Sequence, residues 1–263
     1  MADALRHLDD ILGGLTAAEV AVSGGVDSLT LAAAAHHRLG RRATMRHATS
    51  PAVPPEATQR TRAIAAARGW ALDVFDAGEF ADPRYRANPA DRCFFCKTNL
   101  YGAIAARAGG TILSGTNTDD LADWRPGLRA AAEHGVRHPF VEAGIDKATV
   151  RQFAARLGLG SVADLPAAPC LSSRIETGIR VEPALLALVH RAEQEVTVLL
   201  APRTVRARLR QRGLVIELDP VALAQAEARR AEVMAALRPL TPLPIGLAAY
   251  RTGSAFLRAT GAP

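Results

Sequence analysis

The sequence predicts an α/β protein: a parallel sheet with helices on both faces over residues 1–178, then a smaller α+β domain over residues 179–263. Three observations carry this expectation. Strand-like and helix-like segments alternate from the start of the chain to about Gly178, as in units that feed a parallel sheet. A glycine-rich turn, Ser23-Gly24-Gly25-Val26-Asp27-Ser28, separates the first apolar strand from the first long helix. Beyond Gly178 the alternation stops, and two short strands stand between long helices.

Taken in order, residues 3–12 read as a helix and 19–23 as a short buried strand. Residues 27–39 are helical, 42–48 a second strand, 54–68 a helix and 71–75 a third strand. The helix over 94–108 ends at Gly109-Gly110, and Thr111–Ser114 is a fourth strand. Residues 137–141 are a candidate fifth strand, and a helix over 147–157 stops at Gly158. In the second part, a helix over 183–200 precedes strands over 204–209 and 214–218, joined by Gln211-Arg212-Gly213. One helix follows over 220–237, and Pro239, Pro242 and Pro244 break the chain after it.

Hydrophobic residues make up 49% of the chain but aromatics only 5%; alanine supplies much of the core and favours helices. Lys plus Arg total 32 against 26 Asp plus Glu, a net charge of +6. That balance suits a nucleotide, a phosphate or RNA, and suits a plain arginine-rich surface as well, since no long basic run occurs. The amino-terminal residues lack the charged and apolar regions of a secretory signal, and no apolar run approaches the ~20 residues that span a bilayer. A cytoplasmic protein with no membrane partner is expected. Cys93, Cys96 and Cys170 are the three cysteines. An odd number in a reducing compartment points to metal or catalysis rather than to disulfides.

In Ser23–Ser28 the two glycines allow a tight turn and leave no side chain between backbone and anion. The N–H groups at the helix start point at that anion. Ser23 and Ser28 can add hydroxyl donors, and Asp27 can hold Mg²⁺ or the helix start. The plain alternative is a glycine turn with a polar cap. The whole string, between strand and helix, resembles the PP-loop of the ATP pyrophosphatases, in the adenine nucleotide α-hydrolase-like superfamily. That resemblance implies cleavage between the α and β phosphates of ATP, with AMP passing to an acceptor oxygen.

Further strings narrow the resemblance: Ser114-Gly115-Thr116-Asn117-Thr118-Asp119-Asp120, Arg125-Pro126-Gly127-Leu128, Lys147 at a helix start, and Pro169-Cys170-Leu171-Ser172-Ser173-Arg174. Together with the PP-loop they resemble the LarE family of ATP-dependent sulfur transferases over roughly residues 15–220. The resemblance implies adenylation of a carboxylate of a pyridinium dicarboxylate mononucleotide, then replacement of AMP by sulfur, on the way to a nickel-pincer nucleotide. It implies ATP contacts at Ser23, Gly24, Gly25, Asp27, Ser28, Gly115 and Thr116. It assigns catalytic roles to Asp27, Lys147, Cys170 and Arg174, and substrate contacts to Arg125, Ser173, Arg206 and Arg208. Family members tend to form homo-oligomers.

Cys93 and Cys96 form Cys-x-x-Cys at a helix start, a spacing that lets both sulfurs reach one metal. Cys170 stands in the motif where the family keeps its sulfur-handling cysteine. The chain resembles three-cysteine members, which implies a [4Fe–4S] cluster on Cys93, Cys96 and Cys170 with one iron free to carry sulfide. Other readings stay open: a Cys93–Cys96 redox pair, sacrifice of Cys170 to dehydroalanine, zinc, or inert buried thiols. Arg92, Lys97 and Arg174 lie beside the cysteines in sequence and can favour thiolates.

Over residues 204–210, Val205, Ala207 and Leu209 share one strand face and Arg206, Arg208 and Arg210 the other. Such a row suits phosphate or carboxylate, and equally a solvated strand face. An RNA-thiolating enzyme is the competing reading, but Val26 replaces the lysine such loops usually carry, so tRNA is not expected as acceptor. A non-catalytic nucleotide or iron–sulfur binder is the third; intact Asp27, Ser28 and Lys147 speak against it. A separate sulfide donor is a further possible partner.

Overall fold

Ala18 and Val20 are fully buried on one face of the four-residue strand β1 (Ala18–Ala21), and their place in the larger core fixes the strand's position. The computed structural model describes residues 2–107, 109–121 and 126–256. Strands β2 (Ala43–Ala48), β3 (Ala71–Phe75) and β4 (Thr111–Ser114) complete a four-stranded sheet in the order β3-β2-β1-β4, all parallel. The chain steps outward from β1 through β2 to β3, then returns to the other side of β1. The register pairs Val20 with Met45 on one side and Leu113 on the other. This reversal makes the carboxyl ends of β1 and β4 the topological switch point, where open α/β sheets bind ligands.

Helices α1 (Ala2–Gly13), α2 (Val26–Leu39), α3 (Pro55–Arg68), α4 (Pro83–Arg86), α5 (Arg92–Ala105), α6 (Pro126–Glu133), α7 (Pro139–Glu142) and α8 (Lys147–Arg156) accompany these strands. Val20, Met45 and Leu113 join Leu8, Leu12, Leu29, Leu31 and Val150 in the larger core, on one face of the sheet. Ile112 points the other way, packing with Phe75, Tyr101, Ile104 and Val136. The same face carries an ion triad, with Arg46 lying 2.6 Å from both Glu19 and Asp73. The fifth strand expected over residues 137–141 is corrected to a single bridge between Leu113 and Arg137. Pro139 has no N–H to extend a ladder, and α7 begins there instead.

The second sheet has β5 (Val205–Arg210) antiparallel to β6 (Gly213–Leu218), with β7 (Ile245–Ala249) parallel to β6. Helix α9 (Pro183–Leu200) buries Leu186, Val189, Ala192, Val196 and Leu200 as one stripe. The single helix expected over 220–237 is two, α10 (Pro220–Ala228) and α11 (Arg230–Leu237), divided at Arg229.

Contacts divide the chain into two units: Met1–Asp82 with Cys93–Ala168, and Pro83–Arg92 with Pro169–Pro263. Packing therefore changes partner at Pro169, whereas composition changes after Gly178. Residues Pro83–Arg92 join the second unit through specific bonds. Asn88 Nδ2 donates to the carbonyls of Glu176 and Ile179, at 2.8 Å each. Tyr85 Oη lies 2.6 Å from Ser172 Oγ, and Arg86 pairs with Glu182 at 2.5 Å. No helix among the described residues is long and apolar enough to cross a membrane.

Candidate functional site

The loop leaving β1 is stapled by its own serines. Ser23 N donates to Ser28 Oγ at 3.1 Å, Ser28 Oγ donates to Gly25 O at 3.1 Å, and the two hydroxyl oxygens are 3.1 Å apart. Gly24 has φ +82°, and a Cβ there would fall 2.7 Å from the backbone oxygen of Ala57. Only glycine meets both conditions. The first bond within α2 runs from Leu29 N to Gly25 O, and Gly25 at the N-cap offers no side chain to the first-turn N–H groups. An uncapped helix start at the switch point is suited to an anion.

Residues behind the loop fix its course. Arg60 Nη1 donates to Gly24 O at 2.8 Å. His47 is fully buried at the end of β2, with Nδ1 2.7 Å from Val22 O and Nε2 2.9 Å from Thr58 Oγ1. A carbonyl only accepts, so Nδ1 carries the proton and Nε2 accepts from Thr58. Burial, with Arg62 nearby, holds this imidazole below the usual histidine range and so neutral. Neither residue was evident from sequence; the one available signal was a histidine on the buried side of a strand end.

Asp27, on the first turn of α2, joins three distant segments. Its Oδ1 accepts from Asn117 Nδ2 at 3.1 Å, and its Oδ2 from Lys147 Nζ at 2.5 Å. Lys147 opens α8, whose N-cap Asp146 accepts from Thr149 N at 2.7 Å. Asn117 is set by its own turn, with Asn117 N donating to Asp120 Oδ2 and Asp119 N to Asn117 Oδ1, each at 3.1 Å. A Cβ on Gly115 would lie 2.8 Å from the backbone carbon of Asp27, so the loop after β4 rides directly on the start of α2. Thr116 Oγ1 lies 3.3 Å from Ser114 Oγ. The structure thus gathers the first-unit residues expected to handle ATP, and adds Asn117. Arg125 lies outside the described residues.

In the second unit, Arg174 is buried and engages both oxygens of Glu193, at 2.9 and 3.0 Å. Its Nη1 also donates to Pro169 O at 2.7 Å, Cys170 O at 3.3 Å and Ser173 Oγ at 3.1 Å. Arg174 therefore braces the backbone that presents Cys170, whose residue is exposed. Arg208 is buried too; it pairs with Glu217 at 3.1 Å and donates to Ser173 O at 2.9 Å. Burial alone would raise the Glu217 carboxyl, but the Ser254 hydroxyl and Arg208 outweigh it and hold it below the usual range. Arg206 lies over the Tyr250 ring, 6.0 Å from its centroid. Burial, with Arg174 and Arg208 nearby, holds its guanidinium below the usual arginine value.

No family model matches the chain. Three curated relatives do align with it. An uncharacterized protein of Synechocystis is 40% identical over 225 residues, covering 84% of this chain and 83% of the relative. An uncharacterized protein of Methanocaldococcus jannaschii is 31% identical over 93 residues, 34% of this chain and 36% of the relative. The pyridinium-3,5-bisthiocarboxylic acid mononucleotide synthase of Lactiplantibacillus plantarum, LarE, is 32% identical over 204 residues, 76% of this chain and 73% of that enzyme. The chain belongs to the LarE family.

None of the three cysteines of this LarE-family chain forms a disulfide among the described residues. Cys93 and Cys96 are half-buried on α5, and their i, i+3 spacing puts them on one helix face. Thiolates are chemically suited to an iron–sulfur cluster. Among the described residues, however, no group of three His, Cys, Asp or Glu side chains is gathered as a metal site.

Proposed function

We propose that this chain is an ATP-dependent sulfur transferase. It adenylates a carboxylate of pyridinium-3,5-biscarboxylic acid mononucleotide and replaces AMP with sulfur, for nickel-pincer nucleotide synthesis. The observation that carries this reading is Asp27, held between Asn117 and Lys147 at the switch point, directly beside an uncapped helix start. The similarity to the mononucleotide synthase supplies the substrate class.

In this reading the loop Ser23–Ser28 takes the β and γ phosphates through backbone N–H groups and serine hydroxyls. Gly115 and Thr116 line the same nucleotide. Lys147 adds positive charge near the α phosphate, and Asp27 orients Lys147 and offers a ligand to Mg²⁺. A substrate carboxylate oxygen attacks the α phosphorus. The bond to the bridging oxygen breaks, and pyrophosphate leaves into the loop that stabilises it. The acyl carbon then bears AMP as a leaving group, and sulfur can displace it.

Cys93, Cys96 and Cys170 are the residues that would hold a [4Fe–4S] cluster, which would supply sulfide chemistry. The exposure of Cys170 on a braced loop also favours a second reading, in which its own sulfur is transferred. Arg206 and Ser173, with Arg125, are proposed substrate contacts. Arg174 and Arg208 are proposed to act by positioning Cys170 and Ser173. Residues 1–178 would carry nucleotide chemistry, and 179–263 substrate binding and homo-oligomerisation, in a cytoplasmic protein that receives sulfide from a donor. Pyrophosphate release that requires both ATP and the mononucleotide tests the reading; release with tRNA as sole acceptor would contradict it.

A further inference from the structure

Among the described residues, Arg92 is the largest of the fully buried side chains, at 2% exposure. The other buried arginines are each matched by a carboxylate, Arg174 by Glu193 and Arg208 by Glu217. Arg92 is not. Its Nη1 donates to Asn88 Oδ1, and its guanidinium carbon lies 5.3 Å from the Phe256 ring centroid. Its Nη2 is buried and has no hydrogen-bond partner among the described residues. A neutral amide and a ring face do not balance a buried guanidinium, which is costly unless an anion accompanies it.

The surroundings fix this group in place. Asn88 is fully buried at φ 57°, and its Nδ2 donates to two backbone carbonyls, Glu176 O and Ile179 O, at 2.8 Å each. That leaves Oδ1 to accept from Arg92 Nη1, which holds the planar guanidinium in place. A donor held in one orientation before the ligand arrives loses little freedom on binding.

We propose that Arg92 is an anion anchor of the second unit, taking an oxyanion of the substrate, either its carboxylate or its phosphate. This rests on the substrate class proposed above, whose molecules carry both groups. A fold that keeps an unmatched buried cation gives up stability in the free protein and regains it when the ligand binds.

The test compares the full-length protein with Arg92→Met, which removes the charge and keeps the apolar stem, and with Arg92→Lys, which keeps the charge. Three probes are titrated: nicotinic acid mononucleotide, nicotinamide mononucleotide, which lacks the carboxylate, and nicotinic acid riboside, which lacks the phosphate. Melting temperature is recorded with and without each. Ligand-free Arg92→Met should melt at or above the wild type and bind nicotinic acid mononucleotide at least about ten-fold more weakly, while ATP binding is unchanged. Arg92→Lys should recover part of that affinity. If the variant also loses affinity for nicotinamide mononucleotide, the group is the phosphate; loss confined to the two carboxylate probes identifies the carboxylate.

Unchanged probe affinity in Arg92→Met, failure of both variants to fold, or weakened binding that lysine does not restore would each overturn the proposal. Should the wild type bind none of the probes, inorganic phosphate decides separately. Stabilisation of the wild type by phosphate, absent in Arg92→Met, keeps the anion anchor and removes only the substrate class. No such difference removes the anchor as well.

Discussion

Lys147 Nζ lies 2.5 Å from Asp27 Oδ2, joining the first turn of α2 to the first turn of α8 across 120 positions of sequence. Both side chains are about one-third exposed or less, so solvent screens part of their attraction. A double-mutant cycle of Asp27→Asn and Lys147→Met should give a stability coupling of about 1 kcal/mol or less. The effect on pyrophosphate release should be far larger, with either variant slowed at least about a hundred-fold, because the proposed mechanism puts both groups where charge develops. A stability loss that accounts for the whole activity loss would reduce the pair to scaffolding.

Gly24 and Gly115 should not tolerate alanine. At Gly24 the new methyl meets Ala57 O at 2.7 Å, and at Gly115 it meets the Asp27 backbone at 2.8 Å. Both neighbours are backbone and cannot swing aside, so the loop or the start of α2 must move. ATP affinity, read by titration calorimetry, should fall in both variants while far-ultraviolet circular dichroism is retained. Gly40 is a useful control. It has φ +58° with open space around it, so alanine there should cost stability alone.

The neutral His47 makes stability depend on acid. Its folded pKa is lowered, so near neutral pH both folded and unfolded imidazoles are uncharged and nothing is lost. As pH falls through the unfolded value of about 6.5, the unfolded chain binds the proton first and stability drops. His138, lowered mainly by burial, adds to the same slope. Melting temperature should therefore fall below about pH 6.5, and His47→Gln should flatten the decline. An identical slope in that variant would contradict the neutral assignment.

Sheet and loop were legible because their signals are local. Residues 71–75 and 111–114 read as strands from short, partly apolar runs between helices, and the SGGVDS string carries its own turn chemistry. Other features depend on distant partners. Asn117 stands within the Ser114–Asp120 string, but its bond to Asp27, 90 positions away, has no local signal. For the arginine row of β5 the resemblance implied substrate contacts at Arg206 and Arg208, and a solvated strand face was the other reading. Arg208 and Arg210 bond to residues 173–176 and 251–254, through Ser173 O, Glu176, Arg251 O and Ser254 O, none of which the strand's own alternation signals. Strand β7 was hidden by Pro242 and Pro244, which precede it, and by the small residues within it.

Two buried ion groups should be structural. Glu217→Ala leaves Arg208 buried without its carboxylate and should cost about 3 kcal/mol. Arg46→Ala strands Glu19 on the sheet face and should cost a similar amount. Chemical denaturation gives both values. A loss below about 0.5 kcal/mol in either would show that water already solvates the remaining charge.

The fate of Cys170 separates the two sulfur sources. If a cluster on Cys93, Cys96 and Cys170 carries sulfide, anaerobically purified protein is brown, each single Cys→Ala change removes colour and transfer, and adenylation continues. If Cys170 is itself the donor, Cys93 and Cys96 are dispensable and the protein loses the elements of H₂S at residue 170 after one turnover. Intact-protein mass spectrometry after several turnovers distinguishes these outcomes.

The central claim is that ATP activates a mononucleotide carboxylate for sulfur. It is tested most directly by mass spectrometry of pyridinium-3,5-biscarboxylic acid mononucleotide after anaerobic incubation with the protein, ATP and Mg²⁺. The account predicts a product in which one carboxylate oxygen is replaced by sulfur, formed with AMP and pyrophosphate and absent with Asp27→Ala. An unchanged mononucleotide, with ATP consumed or sulfur transferred to another acceptor, would contradict it.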